Sequence, residues 1–423
     1  MSALDGTPPE ALPAPLEPRE GVPEVIADPA ALSSYCRALA SGCGPIAIDA
    51  ERASGFRYSQ RAYLIQIRRE GAGTALIDPI AVSDLSGLQL AMAGAEWILH
   101  AATQDLACLA EVGLRPDVLF DTELAGRLLG RERVGLAALM LTELGQVIEK
   151  GHGATDWSVR PLTPAQLRYA ALDVELLIEL RDVLESELRS ADKWDIAVQE
   201  FTALLSFEPR PRTDEEWRRT SGLHRVRKPR SLAIVRELWR ARDELARERD
   251  VAVGRLLPDS ALIAAAESDA TSPETLMGVD GFHGRGAQRY VRRWWGAIAT
   301  ARSLPEAELP QRAARVEGPP PPRAWADRDP QAHARLSRAR SDLAATAESL
   351  ELPVENLLSP DTVRRLCWEP PVPADLEEVR AFLTAHGARD WQVDACAELL
   401  VVALEQTEVP KASENSGAEV THE

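Results

Sequence analysis

The chain has 423 residues, of which 45% are hydrophobic and 27% charged, with a formal net charge of −18. Its length exceeds what one hydrophobic core usually organises, so two or three domains are expected, and its composition excludes disordered and fibrous classes. No apolar run approaches the roughly 18 residues that cross a bilayer, and the N-terminus lacks a basic-then-apolar leader, so the expectation is a cytoplasmic protein with no membrane association.

Residues 1–22 are rich in Pro, Glu and Ala and poor in large apolar side chains, a composition that predicts a disordered tail. From residue 23 short β-rich runs (46–50, 63–67, 75–78 and 97–100) alternate with amphipathic helical stretches, predicting an α/β domain on a mixed sheet. Thr163 followed by Pro164 reads as an N-cap and first helical residue, opening what should be one long helix to about Leu188. Segment 206–230 contains Pro209, Pro211 and Pro229 among charged residues and reads as an exposed linker, so the first domain spans 23–211.

Residues 231–303 read as wholly helical, and a second helical block at 331–406 echoes them. The run from Arg240 to Ala246 matches that from Arg338 to Ala344, and the run Leu256 to Asp259 matches Leu357 to Asp361, which suggests a duplicated module. Chance likeness between two helices rich in Ala, Arg and Leu is the alternative. Between the blocks, in 306–330, Gly318 and Pro319 to Pro322 would form a stiff spacer, and residues 407–423 a second disordered tail. Residues 1–211, 212–303 and 304–423 carry net charges of −13, +5 and −10. A basic middle segment is where a polyanion would be gripped, although a solvated helix face would have the same composition. The five cysteines are scattered without metal-ligand or disulfide spacing.

Three places carry candidate chemistry. Asp49 and Glu51 end an apolar strand two residues apart, which puts both carboxylates on one face, where their repulsion invites a cation. A solvated strand end would look the same. Asp105 follows the apolar run 97–102 in the first turn of a helix beginning near Thr103, a position that also merely complements a helix dipole. Tyr169 and Asp173 are four apart in the long helix and so share a face. The loop before that helix, Asp156 to Leu162, holds Trp157 and Arg160, an aromatic and a charge that a plain connector would not need.

The order Asp49 with Glu51, then Asp105, then Tyr169 with Asp173 resembles the three exonuclease motifs of the DEDDy class. The loop 156–162, followed by Gln166 and the run Tyr169 to Val174, is similar to the signature of the ribonuclease D family, and Leu64 to Ile67 and Phe120 to Thr122 sit where that family has them. Ala50 departs from the threonine or glycine that many relatives carry between the two acids. The resemblance covers roughly residues 23–205 and implies a ribonuclease H-like exonuclease domain that hydrolyses RNA from its 3′ end to nucleoside 5′-monophosphates, with tRNA or other structured RNA precursors as substrates. In such enzymes Asp49, Glu51 and Asp173 would hold one Mg²⁺ or Mn²⁺, Asp49 would bridge to a second, Asp105 would support that ion through water, and Tyr169 would orient the attacking water. No small-molecule cofactor is implied.

The module at 222–305 resembles the HRDC domain that follows the nuclease in this family, and 331–406 would be a second. Gln66 and His100 lie beside the acid-bearing strands, where they could touch the last nucleotide, with a structural role the alternative for His100. Trp157, Arg160, Arg289 and Arg293 are further candidates for RNA contact, the last two beside Trp294 and Trp295, which could instead be core. Two other readings are a 3′→5′ DNA exonuclease of the Werner type, since the same acids hydrolyse either polymer, and a non-catalytic RNA-binding scaffold.

Overall fold

The apolar runs around the candidate acids fold as neighbouring strands of one six-stranded sheet. Its strands are β1 (Val25–Ile26), β2 (Cys43–Arg52), β3 (Ala62–Glu70), β4 (Gly73–Ile77), β5 (Glu96–Leu99) and β6 (Val118–Asp121), in the spatial order β1-β4-β3-β2-β5-β6. The computed structural model describes residues 16–148, 151, 153–312 and 318–405. Strand β2 pairs antiparallel with β3 and parallel with β5, so it lies inside a mixed sheet. Residues 46–48 and 62–67 are buried without a polar alternation, as strands covered on both faces must be. The mixed sheet flanked by helices is the α/β class expected for the first domain. Strands β1 and β6, of two and four residues, are additions to the runs visible in sequence.

The helices of this part are α1 (Pro29–Ser41), α2 (Ser86–Met92), α3 (Leu106–Glu111), α4 (Thr122–Leu128), α5 (Leu136–Leu144), α6 (Pro164–Glu175), α7 (Leu177–Ser190) and α8 (Trp194–Leu205). Thr163 caps α6 in a reciprocal capping box with Gln166, with Pro164 in the first turn. The single helix expected from 163 to 188 is instead two, broken at Leu176 (φ −120°, ψ 11°). Residues 170–177 are buried on both sides of the break, so this stretch is covered all round rather than along one stripe.

The chain divides into two compact units, Met1–Gly126 with Arg131–Ala314 and Arg127–Gly130 with Arg315–Glu423. The first unit also contains helices α9 (Pro229–Arg249), α10 (Val253–Leu256), α11 (Asp259–Glu267), α12 (Pro273–Leu276), α13 (Arg285–Arg289) and α14 (Val291–Ser303). These close on Leu232, Leu238, Leu257, Phe282, Trp294 and Ile298. Trp217 is fully buried in the same core, so segment 206–230 is only partly the exposed linker expected from its prolines.

The second unit holds α15 (Trp325–Arg328), α16 (Pro330–Ser349), α17 (Val354–Leu357), α18 (Pro360–Trp368), α19 (Leu376–Ala385) and α20 (Asp390–Glu405). Helices α16, α17 and α18 have 20, four and nine residues, and α9, α10 and α11 have 21, four and nine. The run Pro319 to Pro322, expected to be a stiff spacer, packs on this unit: the Pro320 carbonyl accepts from the Trp325 indole and the Pro319 carbonyl from Arg364.

Of the tail expected at 1–22, residues 16–22 are held down, with Leu16 N–H donating to the Val147 carbonyl and Arg168 pairing with Glu17 at 2.7 Å. Residues 1–15 and the tail from 407 lie outside the described residues. Among the described residues no helix is long and apolar enough to cross a membrane.

Candidate active site

Strand alternation puts Asp49 and Glu51 on one face of β2, and α6 crosses that face so that Asp173 meets them. One carboxylate oxygen from each of Asp49, Glu51 and Asp173 lies within 4.8 Å of the others. Asp105 joins the cluster by a hydrogen bond to Asp49, and the Tyr169 hydroxyl is hydrogen-bonded to Asp173, four residues along α6. All five groups line one cavity of about 350 Å³, with His100, Arg52 and an apolar wall that includes Leu136, Ile148 and Leu177.

The turn carrying Asp105 is not the simple helix start expected. Residues Ala102–Gln104 form a 3-10 turn, and Asp105 stands between it and α3. Ala101 before it is left-handed (φ 57°), an uncommon conformation for a residue with a Cβ. Asp121 at the end of β6 holds this turn. Its carboxylate accepts from the N–H groups of Ala101 (3.1 Å) and Ala102 (2.8 Å), and also from Glu123 and Leu124 at the start of α4.

Desolvation dominates the electrostatics of the cluster. It raises the Asp49 carboxyl from its ordinary 3.8 to about 6, against help from backbone hydrogen bonding and Arg52. Glu51 is pushed to about 10 by burial and then by Asp49 and Asp173. Asp105 and Asp173 are raised by burial and by Asp49. A pocket in which burial and neighbouring acids keep carboxyls partly protonated suits cations, and its hard oxygen donors suit Mg²⁺ or Mn²⁺. The Tyr169 phenol is also raised, by burial and then by Asp173, so it keeps its proton.

The other sequence candidates separate. His100 lines the cavity with Nδ1 2.9 Å from the Thr122 hydroxyl, and burial lowers its pKa to about 4, so it is neutral. Gln66 sits opposite Asp49 on β3 but is fully buried, its amide without a hydrogen-bond partner among the described residues. Trp157 is fully buried too, among Tyr63, Leu64, Leu162 and Ala170, which corrects its reading as a substrate contact. Arg160 bonds Asp78 (2.6 Å) and the carbonyls of Trp157 and Tyr63, tying the loop to the sheet. In the first helical module Arg293 pairs with Glu244 and Glu248, Arg289 lies exposed over the Tyr290 ring, and Trp294 is core.

Two positioning residues went unrecognised in the sequence. Asp121 carries no signal in the sequence beyond its place in the run Phe120 to Thr122. Arg52, whose guanidinium is 3.5 Å from Asp105, follows Glu51 directly and should face away from it. A register shift between Glu51 and Arg52 on β2 breaks the alternation there.

Comparison with known proteins gives three family matches: residues 23–189 match a 3′-5′ exonuclease model, 231–298 the HRDC domain, and 318–404 a 3′ to 5′ exonuclease C-terminal domain. Ribonuclease D of Shewanella sp. (strain ANA-3) is 34% identical over 55% of this chain and 61% of that protein. Ribonuclease D of Acidiphilium cryptum is 31% identical over 73% of this chain and 80% of the relative, and that of Escherichia coli 32% over 66% and 75%. Among solved structures, a protein from Bifidobacterium adolescentis aligns over 92% of this chain and 98% of its own, with TM-score 0.83 and 39% identity. Escherichia coli RNase D, described as an exoribonuclease involved in structured RNA processing, aligns over 90% and 98%, with TM-score 0.66 and 25% identity.

Proposed function

Because the chain belongs to the ribonuclease D family of 3′→5′ exoribonucleases, we propose that the pocket around Asp49 removes nucleotides from RNA 3′ ends as nucleoside 5′-monophosphates. The observation that carries this reading is the meeting of four acids and one tyrosine, from three distant stretches of chain, in a single cavity.

The family is divalent-metal dependent, and the donor set here is all oxygen. Asp49, Glu51 and Asp173 would hold one Mg²⁺ or Mn²⁺, and Asp105, bonded to Asp49, would help to seat a second. Bound cations of this kind lend Lewis acidity to the phosphodiester and lower the pKa of a water. Tyr169, its hydroxyl held by Asp173 and its proton retained, orients that water by hydrogen bonding rather than by abstracting its proton. Neutral His100, fixed by Thr122, shapes the wall without adding charge. Leu136, Ile148 and Leu177 offer an apolar surface for the terminal base, which would accept any base.

The proposed substrates are RNAs with single-stranded 3′ tails, tRNA precursors among them, on the analogy of the structured-RNA role given for the Escherichia coli protein. Purified protein with Mg²⁺ or Mn²⁺ should shorten a 3′-tailed RNA stepwise and release 5′-monophosphates. Folded protein that leaves such RNA intact would end this reading, and faster digestion of matched DNA would make it a DNA exonuclease.

A further inference from the structure

The segments that wall the acid pocket continue past it. A second cavity of about 260 Å³ shares Ala50, Glu51, Arg52 and Gly153 with the first and extends between Ser54 to Phe56 and Ala154 to Thr155. A third cavity, about 310 Å³, opens where these two loops continue, between Arg57 and Arg61 on one and Ser158 and Arg160 on the other. We propose that this third cavity is a phosphate subsite, in which Arg57 and Arg61 hold the backbone of an RNA strand upstream of the nucleotide being removed. The proposal rests on the exonuclease reading above.

The chemistry of the cavity suits a phosphodiester. Its two carboxylates are already engaged: Asp78 with Arg160 at 2.6 Å, and Asp250 with the Ser59 N–H at 2.9 Å and the Tyr63 hydroxyl at 3.3 Å. Among the described residues Arg57 bonds only through its Nε, on the Ser158 hydroxyl at 2.7 Å, and it lines the cavity with its terminal N–H groups unused. The Arg61 guanidinium stacks on the Tyr63 ring, 5.0 Å from its centroid, and is within electrostatic range of Asp250. Among the described residues neither arginine is in an ion pair closer than 4.0 Å. Planar guanidinium groups with unused N–H donors match the oxygens of a phosphodiester. In a chain of net charge −18 a cavity lined by three arginines and two aspartates is a local reversal of sign.

The site is also rigid, because the helical module clamps the loop that presents the arginines. The Ala252 N–H donates to the Phe56 carbonyl, and Arg255 donates to the Gly55 carbonyl while lying over the Phe56 ring at 4.2 Å. The Tyr58 ring carries Arg212 and Arg247 against it, and its hydroxyl donates to Asp243. Arg57 and Arg61 flank these clamped residues, so binding a phosphate there costs little loop ordering. The first helical module would thereby act on RNA indirectly, through the loop that it fixes.

Arg61 is exposed, so Arg61→Gln should fold normally; Arg57→Gln is the second variant, and thermal unfolding checks both. With EDTA present to stop hydrolysis, titration of a fluorescent single-stranded oligouridine should show affinity lower by about tenfold in each variant. The log–log salt dependence should become shallower by roughly one ion per arginine. With Mn²⁺, KM for the long strand should rise while hydrolysis of a dinucleotide, too short to span the cavities, keeps its wild-type rate. Unchanged affinity and salt slope in both folded variants, or an equal loss on dinucleotide and long strand, would overturn the subsite. Wild-type protein that cleaves neither substrate would overturn the exonuclease reading instead.

Discussion

The guanidinium of Arg52 lies 3.5 Å from the carboxylate of Asp105, a single arginine among the described residues that line a cavity with four acids. It lowers the pKa of Asp49, Glu51 and Asp105 alike, and so offsets part of their mutual repulsion. Arg52 is partly exposed, which screens the interaction to about 1 kcal/mol, below the cost of breaking a fully buried pair. Arg52→Gln should therefore lower the Tm of EDTA-treated protein at neutral pH by roughly 1–2 °C. Saturating Mn²⁺ should shrink that deficit, because cations then do the neutralising. A deficit that metal leaves unchanged would mean that Arg52 acts by packing alone.

Glu51 and Asp49 give the metal-free protein an inverted pH response. Their folded pKa values, about 10 and about 6, lie above their ordinary 4.5 and 3.8, so the folded state binds more protons than the unfolded state between those values. Stability must then fall as pH rises through that window. In EDTA the Tm should drop between pH 5 and pH 8, and Mn²⁺ at pH 8 should restore it. Glu51→Gln should flatten the slope, raise the metal-free Tm at pH 8, and lower the hydrolysis rate by about a thousandfold or more. A metal-free Glu51→Gln protein less stable than wild type at pH 8 would contradict the burial account.

Tyr169→Phe keeps the ring that packs at 6.2 Å from Trp157 and removes only the hydroxyl on Asp173. The expected result is a fall in kcat of roughly a hundredfold with little change in KM. The Mn²⁺-induced rise in Tm should survive, since the carboxylates remain. Because the phenol holds its proton above the ordinary range, the wild-type pH–rate profile should show no alkaline limb near pH 10 from this group. A variant that loses metal stabilisation together with activity would make Tyr169 a support for the ligands rather than a partner of the water.

Sequence shows a residue's neighbours along the chain, and the site was legible wherever those neighbours set its direction. Period two on β2 aligned Asp49 with Glu51, and period four on α6 aligned Tyr169 with Asp173. Direction was lost where the backbone leaves its period. The irregularity at Glu51 and Arg52 turned Arg52 toward Asp105, and the break at Leu176 falls in a run of good helix formers. Irregular loops carry no period, so the buried fate of Trp157 was hidden. Arg293 looked free because Glu244 and Glu248 lie on another helix, more than forty residues back.

Asp121 touches none of the reacting groups, yet it should control them through the turn that carries Asp105. Its Oδ1 accepts from Ala101, Glu123 and Leu124, and its Oδ2, among the described residues, only from Ala102 at 2.8 Å. Left-handed Ala101 is held in that conformation by the same carboxylate, against a cost of about 1–3 kcal/mol. Asp121→Asn can keep the three bonds to Oδ1 but sets an N–H group against the Ala102 N–H, a clash that should cost about 1–3 kcal/mol of stability. The turn then relaxes, Asp105 shifts from Asp49, and kcat should fall by roughly a hundredfold, the effect of about 1 Å of misplacement. Asp121→Ala should destabilise further, because it also removes the cap on α4. Higher Mn²⁺ should recover part of the Asn variant's activity, since the ligands are all present and only misplaced. A fully active Asn variant would show that the turn holds Asp105 without Asp121.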